Sequence, residues 1–207
     1  MNSSRTDFNE TWLSEMPSKL GNFSGTFKVV SDNISEWIRS GKIPEQVSPD
    51  MFKLTGQNIE YFWYQNNDDI TLAVELEKRS QGLAVSVVGK NPKYSKIPPY
   101  ATDLYSDILS VVPQSLLFSD KQLSDDGIEL WKRLMNKPDN VVSVYSTSDP
   151  GQTFKTLSDP KDLNKYLGPD HYCDRFVLSK KSHTLAETRS YFNIRRYREL
   201  SGGNTQD

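Results

Sequence analysis

Two short polar clusters, Ser119-Asp120 and Ser124-Asp125-Asp126, stand where an apolar run ends and a helical period begins. Mixed α/β proteins often carry chemistry at such junctions. A carboxylate there could take a proton from a nucleophile, while a nearby tyrosine returned one to a leaving group. The same residues also have a structural use, with Ser119 and Asp120 shaping a turn and Ser124 capping the following helix. His171 and His183 stand twelve apart with no carboxylate motif between them, so they read as surface or turn residues. The single cysteine, Cys173, excludes an internal disulfide and reads as a buried or incidental thiol. No metal site is expected.

A different chemistry is suggested near the C-terminus. Arg175, Lys180, Lys181, Arg189, Arg195, Arg196 and Arg198 stand against one acid, Glu187, within residues 175–198. Phe176, Tyr191, Phe192 and Tyr197 are interleaved with them. Arginines beside aromatics suit phosphate, stacked bases or an acidic protein surface. Arg189, Arg195, Arg196 and Arg198 are therefore the candidate partner-binding residues, for a protein partner or a nucleic acid. The chain as a whole carries a net charge of −2, so no global field draws in nucleic acid.

The elements that would position these groups follow from periodicity. Residues 1–26 read as an irregular lead-in pinned by Trp12, Leu13 and Met16. A short helix then starts at Ser31 or Asp32, lines one face with Ile34, Trp37 and Ile38, and stops at Gly41. Pro44 and Pro49 mark a turn-rich connector. Residues 59–65, 70–77 and 83–88 read as an antiparallel meander with turns at 66–69 and 79–82. Ala101, Leu104, Tyr105, Ile108 and Val112 fall on one face of a helix over residues 100–112. Residues 115–118 form a short buried strand. A helix capped by Ser124 follows, with Ile128, Trp131, Leu134 and Met135 on its apolar face. Further strands are expected at 141–145 and 175–178, and a short helix at 159–166. Residues 184–200 read equally as a helix or as an extended pair of segments.

With 207 residues, 11% of them aromatic, the chain suits one domain with a substantial core. The first residues lack the apolar core of a signal peptide, and no apolar run approaches the ~18 residues of a membrane helix. The expectation is a cytoplasmic protein without a membrane partner. The division expected is a lead-in over 1–26, an α/β domain over 27–178 and a basic, aromatic segment over 179–207.

The order strand, strand, strand, loop, helix, strand, helix, strand over residues 59–145 resembles the GNAT superfamily of acyl-CoA-dependent N-acyltransferases. That resemblance implies a mixed, mostly antiparallel central sheet flanked by helices, in an α/β (α+β) fold. It also implies acetyl-CoA or another acyl-CoA as cofactor. Residues 84–90, Ala-Val-Ser-Val-Val-Gly-Lys, would match the strand whose backbone holds the pantetheine arm, with Val87 and Val88 central. Residues 91–100 would match the pyrophosphate loop before a helix N-terminus. Lys93, Ser95 and Lys96 would contact the phosphates there, although the loop has no glycine and Pro98 and Pro99 have no N–H. Residues 115–120 would be the strand that splays from its neighbour to admit the thioester. For acyl transfer to an amine, Asp120 or Glu75 could be the base and Tyr105 or Tyr145 the acid. The strings around Thr11-Trp12-Leu13, Leu116-Leu117-Phe118 and Tyr191-Phe192-Asn193 also resemble uncharacterised tailed-bacteriophage proteins. That would place the protein in a host cytoplasm or a virion. Two readings stand: an atypical acyltransferase, or an inactive interaction, assembly or host-modulating protein on the same scaffold.

Overall fold

The computed structural model describes residues 23–112, 115–120, 123–146, 154–168, 171 and 174–182, with 23–25 by backbone alone. The first helix, α1 (Phe23–Arg39), begins more than two turns before the expected start at Ser31. Ser31 and Asp32 lie inside it because both are satisfied locally. The Ser31 hydroxyl donates to the Lys28 carbonyl at 3.1 Å, and Asp32 pairs with Lys28 one turn back. Gly41, at φ 91°, ends the element as expected.

Two strands occupy the stretch read as a connector, β1 (Glu45–Ser48) and β2 (Met51–Thr55). Pro44 precedes β1 and Pro49 sits in the turn, so neither removes a ladder hydrogen bond. The meander is β3 (Ile59–Asn66), β4 (Asp69–Arg79) and β5 (Gly82–Lys90). After a 3-10 turn at Pro92–Tyr94 come α2 (Ala101–Val111), β6 (Leu117–Phe118) and α3 (Asp125–Met135). The Ser124 hydroxyl accepts the Gly127 N–H at 3.2 Å, the cap that its sequence position predicts. The remaining elements are β7 (Asn140–Ser146), β8 (Phe154–Thr156), a 3-10 helix at Pro160–Tyr166 and β9 (Asp174–Lys180).

Together they form a mixed α/β structure around a nine-stranded sheet in the order β1-β2-β3-β4-β5-β6-β9-β7-β8. Its single parallel pair is β5–β6, and the other neighbours are antiparallel. One face packs Phe62, Tyr64, Leu72, Val74 and Leu76 against Tyr105 and Ile108 of α2 and Trp131 of α3. Tyr105 and Trp131 are 1% and 2% exposed, in line with their helical periods. The other face sets Tyr61, Trp63 and Ala73 against Val30 and Ile34 of α1. Covered on both sides, β3 is buried from Glu60 through Tyr64, which explains its unbroken aromatic run. Among the described residues no helix is long and apolar enough to cross a membrane.

Candidate functional site

The middle of the sheet opens at β5. Its parallel pairing with β6 covers only Leu83↔Leu117 and Ala84↔Phe118. Beyond that point the chain after β6 follows β9 instead. The Ser119 N–H donates to the Phe176 carbonyl at 2.8 Å, and the Ser119 hydroxyl accepts the Phe176 N–H at 3.0 Å. Ser119 is thus a latch between strands, and its own hydroxyl donates to the Asp120 carbonyl. Among the described residues, strand β5 continues to Lys90 without a neighbour on that side.

The same strand carries a bulge. Glu75 lies opposite Val87 while Leu76 lies opposite Val85, so Ser86 is an extra residue on β5. The Asn91 N–H donates to the Thr71 carbonyl at 2.9 Å, which fixes the alternation along the strand. Gly89 and Val87 therefore turn their backbone groups to β4, and Val88 and Lys90 turn theirs to the open edge. Of the two valines expected to serve a pantetheine arm, Val88 offers its backbone and Val87 does not.

Glu75 stands across from this bulge. Its Oε2 accepts the Tyr61 hydroxyl at 2.9 Å and the Asn33 amide at 3.3 Å, while Oε1 has no hydrogen-bond partner among the described residues. Trp37 meets the Tyr61 ring edge-on at 4.8 Å. Burial, and then the Glu75 carboxylate, push the Tyr61 hydroxyl well above its usual range. Tyr61 was legible in principle, because hairpin register sets it opposite Glu75. Asn33 had no such signal, since a helix crossing the sheet brings it there.

The other acid–base candidates lie elsewhere. Tyr105 rises from α2 on the opposite layer, fully enclosed. Burial, and then the Asp120 charge, push its hydroxyl well above its usual range. Asp120 itself is exposed at the end of β6. Tyr145 stacks on Phe154 at 5.0 Å and meets Phe118 edge-on at 5.8 Å, inside an aromatic cluster. The structure thus brings Asp120 near Tyr105, and sets Glu75 apart with Tyr61.

The loop after β5 is closed on itself. The N–H groups of Tyr94, Ser95 and Ile97 donate to the carbonyls of Asn91, Pro92 and Tyr94. The Lys93 N–H donates to the Asn91 side chain, and the Tyr100 N–H to the Asp103 carboxylate. Lys90 reaches back to donate to the carbonyls of Ile97 and Pro99, beneath the Tyr100 ring at 4.3 Å. Lys93 pairs with Asp69 at 2.7 Å, whereas exposed Lys96 has no ion pair among the described residues. A diphosphate needs free N–H groups and an uncovered helix end. Here Asp103 holds that end, so the residues present do not fit the nucleotide part of coenzyme A. The open edge at Val88 and Lys90, by contrast, fits an extended chain bearing amides.

His171 Nδ1 lies 2.8 Å from the Asp174 carboxylate, and its ring meets Tyr166 at 5.4 Å, which ties down a turn. Among the described residues no group of three or more His, Cys, Asp or Glu could hold a metal. Cys173, His183, Arg189, Arg195, Arg196 and Arg198 lie outside the described residues. No family model, curated protein or solved structure matches the chain.

Proposed function

We propose that this chain is a GNAT-like N-acyltransferase that holds a pantetheine thioester along the open edge of β5. The observation that carries this reading is the pairing pattern of that strand. Val88 and Lys90 present backbone groups with no partner among the described residues, just beyond a bulge at Ser86, and Glu75 stands across from the bulge. A pantetheine arm carries two amides that can pair with such an edge as a peptide would.

In the transfer, the amine nitrogen forms a bond to the acyl carbon and the carbon–sulfur bond breaks. The amine proton passes to Glu75, directly or through one water, and the sulfur leaves as a thiol after taking a proton from solvent. Tyr61 and Asn33 orient the carboxylate by holding Oε2, which leaves Oε1 for the proton. Acetyl-pantetheine with a panel of primary amines, followed by thiol release, tests the reading. Turnover is expected, and Glu75→Gln is expected to lower it by about 10²–10³-fold. Absence of both binding and turnover of acetyl-pantetheine would refute it.

The closed loop at residues 91–100 favours a second reading, a binding protein on the same scaffold that performs no transfer. In that case an amide-bearing peptide would occupy the β5 edge, and acetyl-pantetheine would release no thiol above background.

A further inference from the structure

We infer that the acyl donor reaches this edge on a carrier protein, as the thioester of its phosphopantetheine arm, and not on coenzyme A. The inference rests on the transfer reading above and names its donor. Two facts that conflict for coenzyme A agree for a carrier protein. Among the described residues, the strand edge that would take the arm is open at Val88 and Lys90. The place where the nucleotide diphosphate would sit is narrowed, with the N–H groups of Lys93, Tyr94, Ser95, Ile97 and Tyr100 engaged and the Asp103 carboxylate on the helix end. A carrier-bound arm ends in one phosphodiester joined to a serine, so it needs the edge and not the cradle.

The surface of the loop fits the remainder of such a donor. Ile97 and Tyr100, 50% and 43% exposed, are two of the five large hydrophobic residues exposed to that degree among the described residues. Lys96 stands beside Ile97 with no ion pair among the described residues, while Lys93 is paired with Asp69. An apolar centre with a charged rim is the anatomy of a protein-docking surface. The unpaired Lys96 ammonium suits a partner that presents an acidic surface beside its prosthetic group. The loop follows Lys90 directly, so an arm lying with its thioester toward Ser86 and Glu75 emerges from the edge at the loop.

The reaction balances as before: the acyl carbon–sulfur bond breaks, the carbon–nitrogen bond forms, Glu75 receives the amine proton, and the carrier keeps a free phosphopantetheine thiol. The test compares acetyl-CoA, acetyl-pantetheine and an acetyl-loaded acyl carrier protein of fatty-acid synthesis by thiol release, with calorimetric titration for binding. The loaded carrier is expected to exceed acetyl-CoA in kcat/KM by about 10–100-fold, with a preference that weakens as salt rises. Lys96→Glu combined with Ile97→Ser is expected to lower carrier turnover and affinity by about tenfold and to leave acetyl-pantetheine turnover unchanged. Coenzyme A serving as well as the carrier would overturn the inference, as would equal loss of all donors in the loop variant. Failure of all three donors, acetyl-pantetheine included, would overturn the transfer reading and this inference with it.

Discussion

The Asp103 carboxylate accepts the Tyr100 backbone N–H at 2.8 Å, so α2 supplies its own anion at the end where a phosphate would otherwise bind. Lys137 completes the arrangement with a 2.8 Å contact to the other carboxylate oxygen. Burial pushes the Asp103 carboxyl up, but Lys137, the Tyr100 N–H and Lys90 outweigh it and hold the group below its ordinary value. A carboxyl lowered in the folded state stabilises the fold above its unfolded pKa of about 3.9, and that contribution is lost as pH falls through the lower folded value. Thermal melts of Asp103→Ala should therefore show a loss of about 1 kcal/mol near neutral pH, with the two proteins converging below about pH 4. The loss is small because both partners are about a third exposed.

Lys90 gives the second prediction. Its ammonium holds the carbonyls of Ile97 and Pro99 and lies under the Tyr100 ring, so it fastens the loop to the end of β5. Lys90→Met keeps the aliphatic stem but removes every one of these donors. The variant should lose about 1–3 kcal/mol in urea unfolding, the range for hydrogen bonds made by a charged group. Limited trypsin digestion should also cut sooner after Lys93 or Lys96. An unchanged cleavage rate would mean that the loop is held by its own turns alone.

The meander, α2, α3 and the strands at β7 and β9 were readable because their apolar periods are local. Elements set by their partners were not. Strand β1 is largely exposed and only four residues long, so no alternation marks it. Helix α1 starts early because Val30 and Ile34 extend the stripe that packs on the sheet, and a capping residue inside it gives a false start. In the site, Glu75 was nameable as a carboxylate on a strand. Its partners and the bulge at Ser86 depend on register, which no single strand encodes. The closure of the 91–100 loop was foreshadowed by its prolines and missing glycines, but the role of Lys90 depends on the loop folding back over it, which no local pattern encodes.

Glu60 supports a third prediction, away from the site. It is 7% exposed, with Oε1 3.4 Å from Lys78 and 3.7 Å from Lys53, and its Oε2 has no hydrogen-bond partner among the described residues. Burying that oxygen unpaired costs part of what the two lysines return. Glu60→Ala should destabilise by about 2–3 kcal/mol, since it leaves two partly buried ammonium groups uncompensated. Replacing Glu60 with Leu together with Lys53 and Lys78 with Met should recover most of the loss. Denaturant melts of the single and triple variants decide the matter. A triple variant no better than Glu60→Ala would mean that the cluster stabilises through its charges.

The last prediction concerns the way α1 is seated, because that seating fixes Asn33 over Glu75. At Gly89 a Cβ would lie 2.4 Å from the backbone N and Cα of Phe27, with the Thr26 carbonyl carbon at 2.9 Å. No rotamer change relieves a clash between two backbones, so Gly89→Ala must lift the start of α1 away from β5 or bend the strand. Overpacking of this kind costs about 1–3 kcal/mol. The displacement should propagate along the helix, because α1 crosses from Gly89 over Glu75 to Tyr61 as one rigid rod. Asn33 would then draw back from the Glu75 carboxylate, and Trp37 from the Tyr61 ring. Trp37 fluorescence should report that movement, and proton-exchange protection across β4 and β5 should fall. If the proposed transfer occurs, it should fall further than stability, since a carboxylate oriented by one donor in place of two is less well positioned. If Gly89→Ala melts like the parent and keeps its Trp37 signal, α1 is not clamped at this crossing and the orientation of Glu75 has another source.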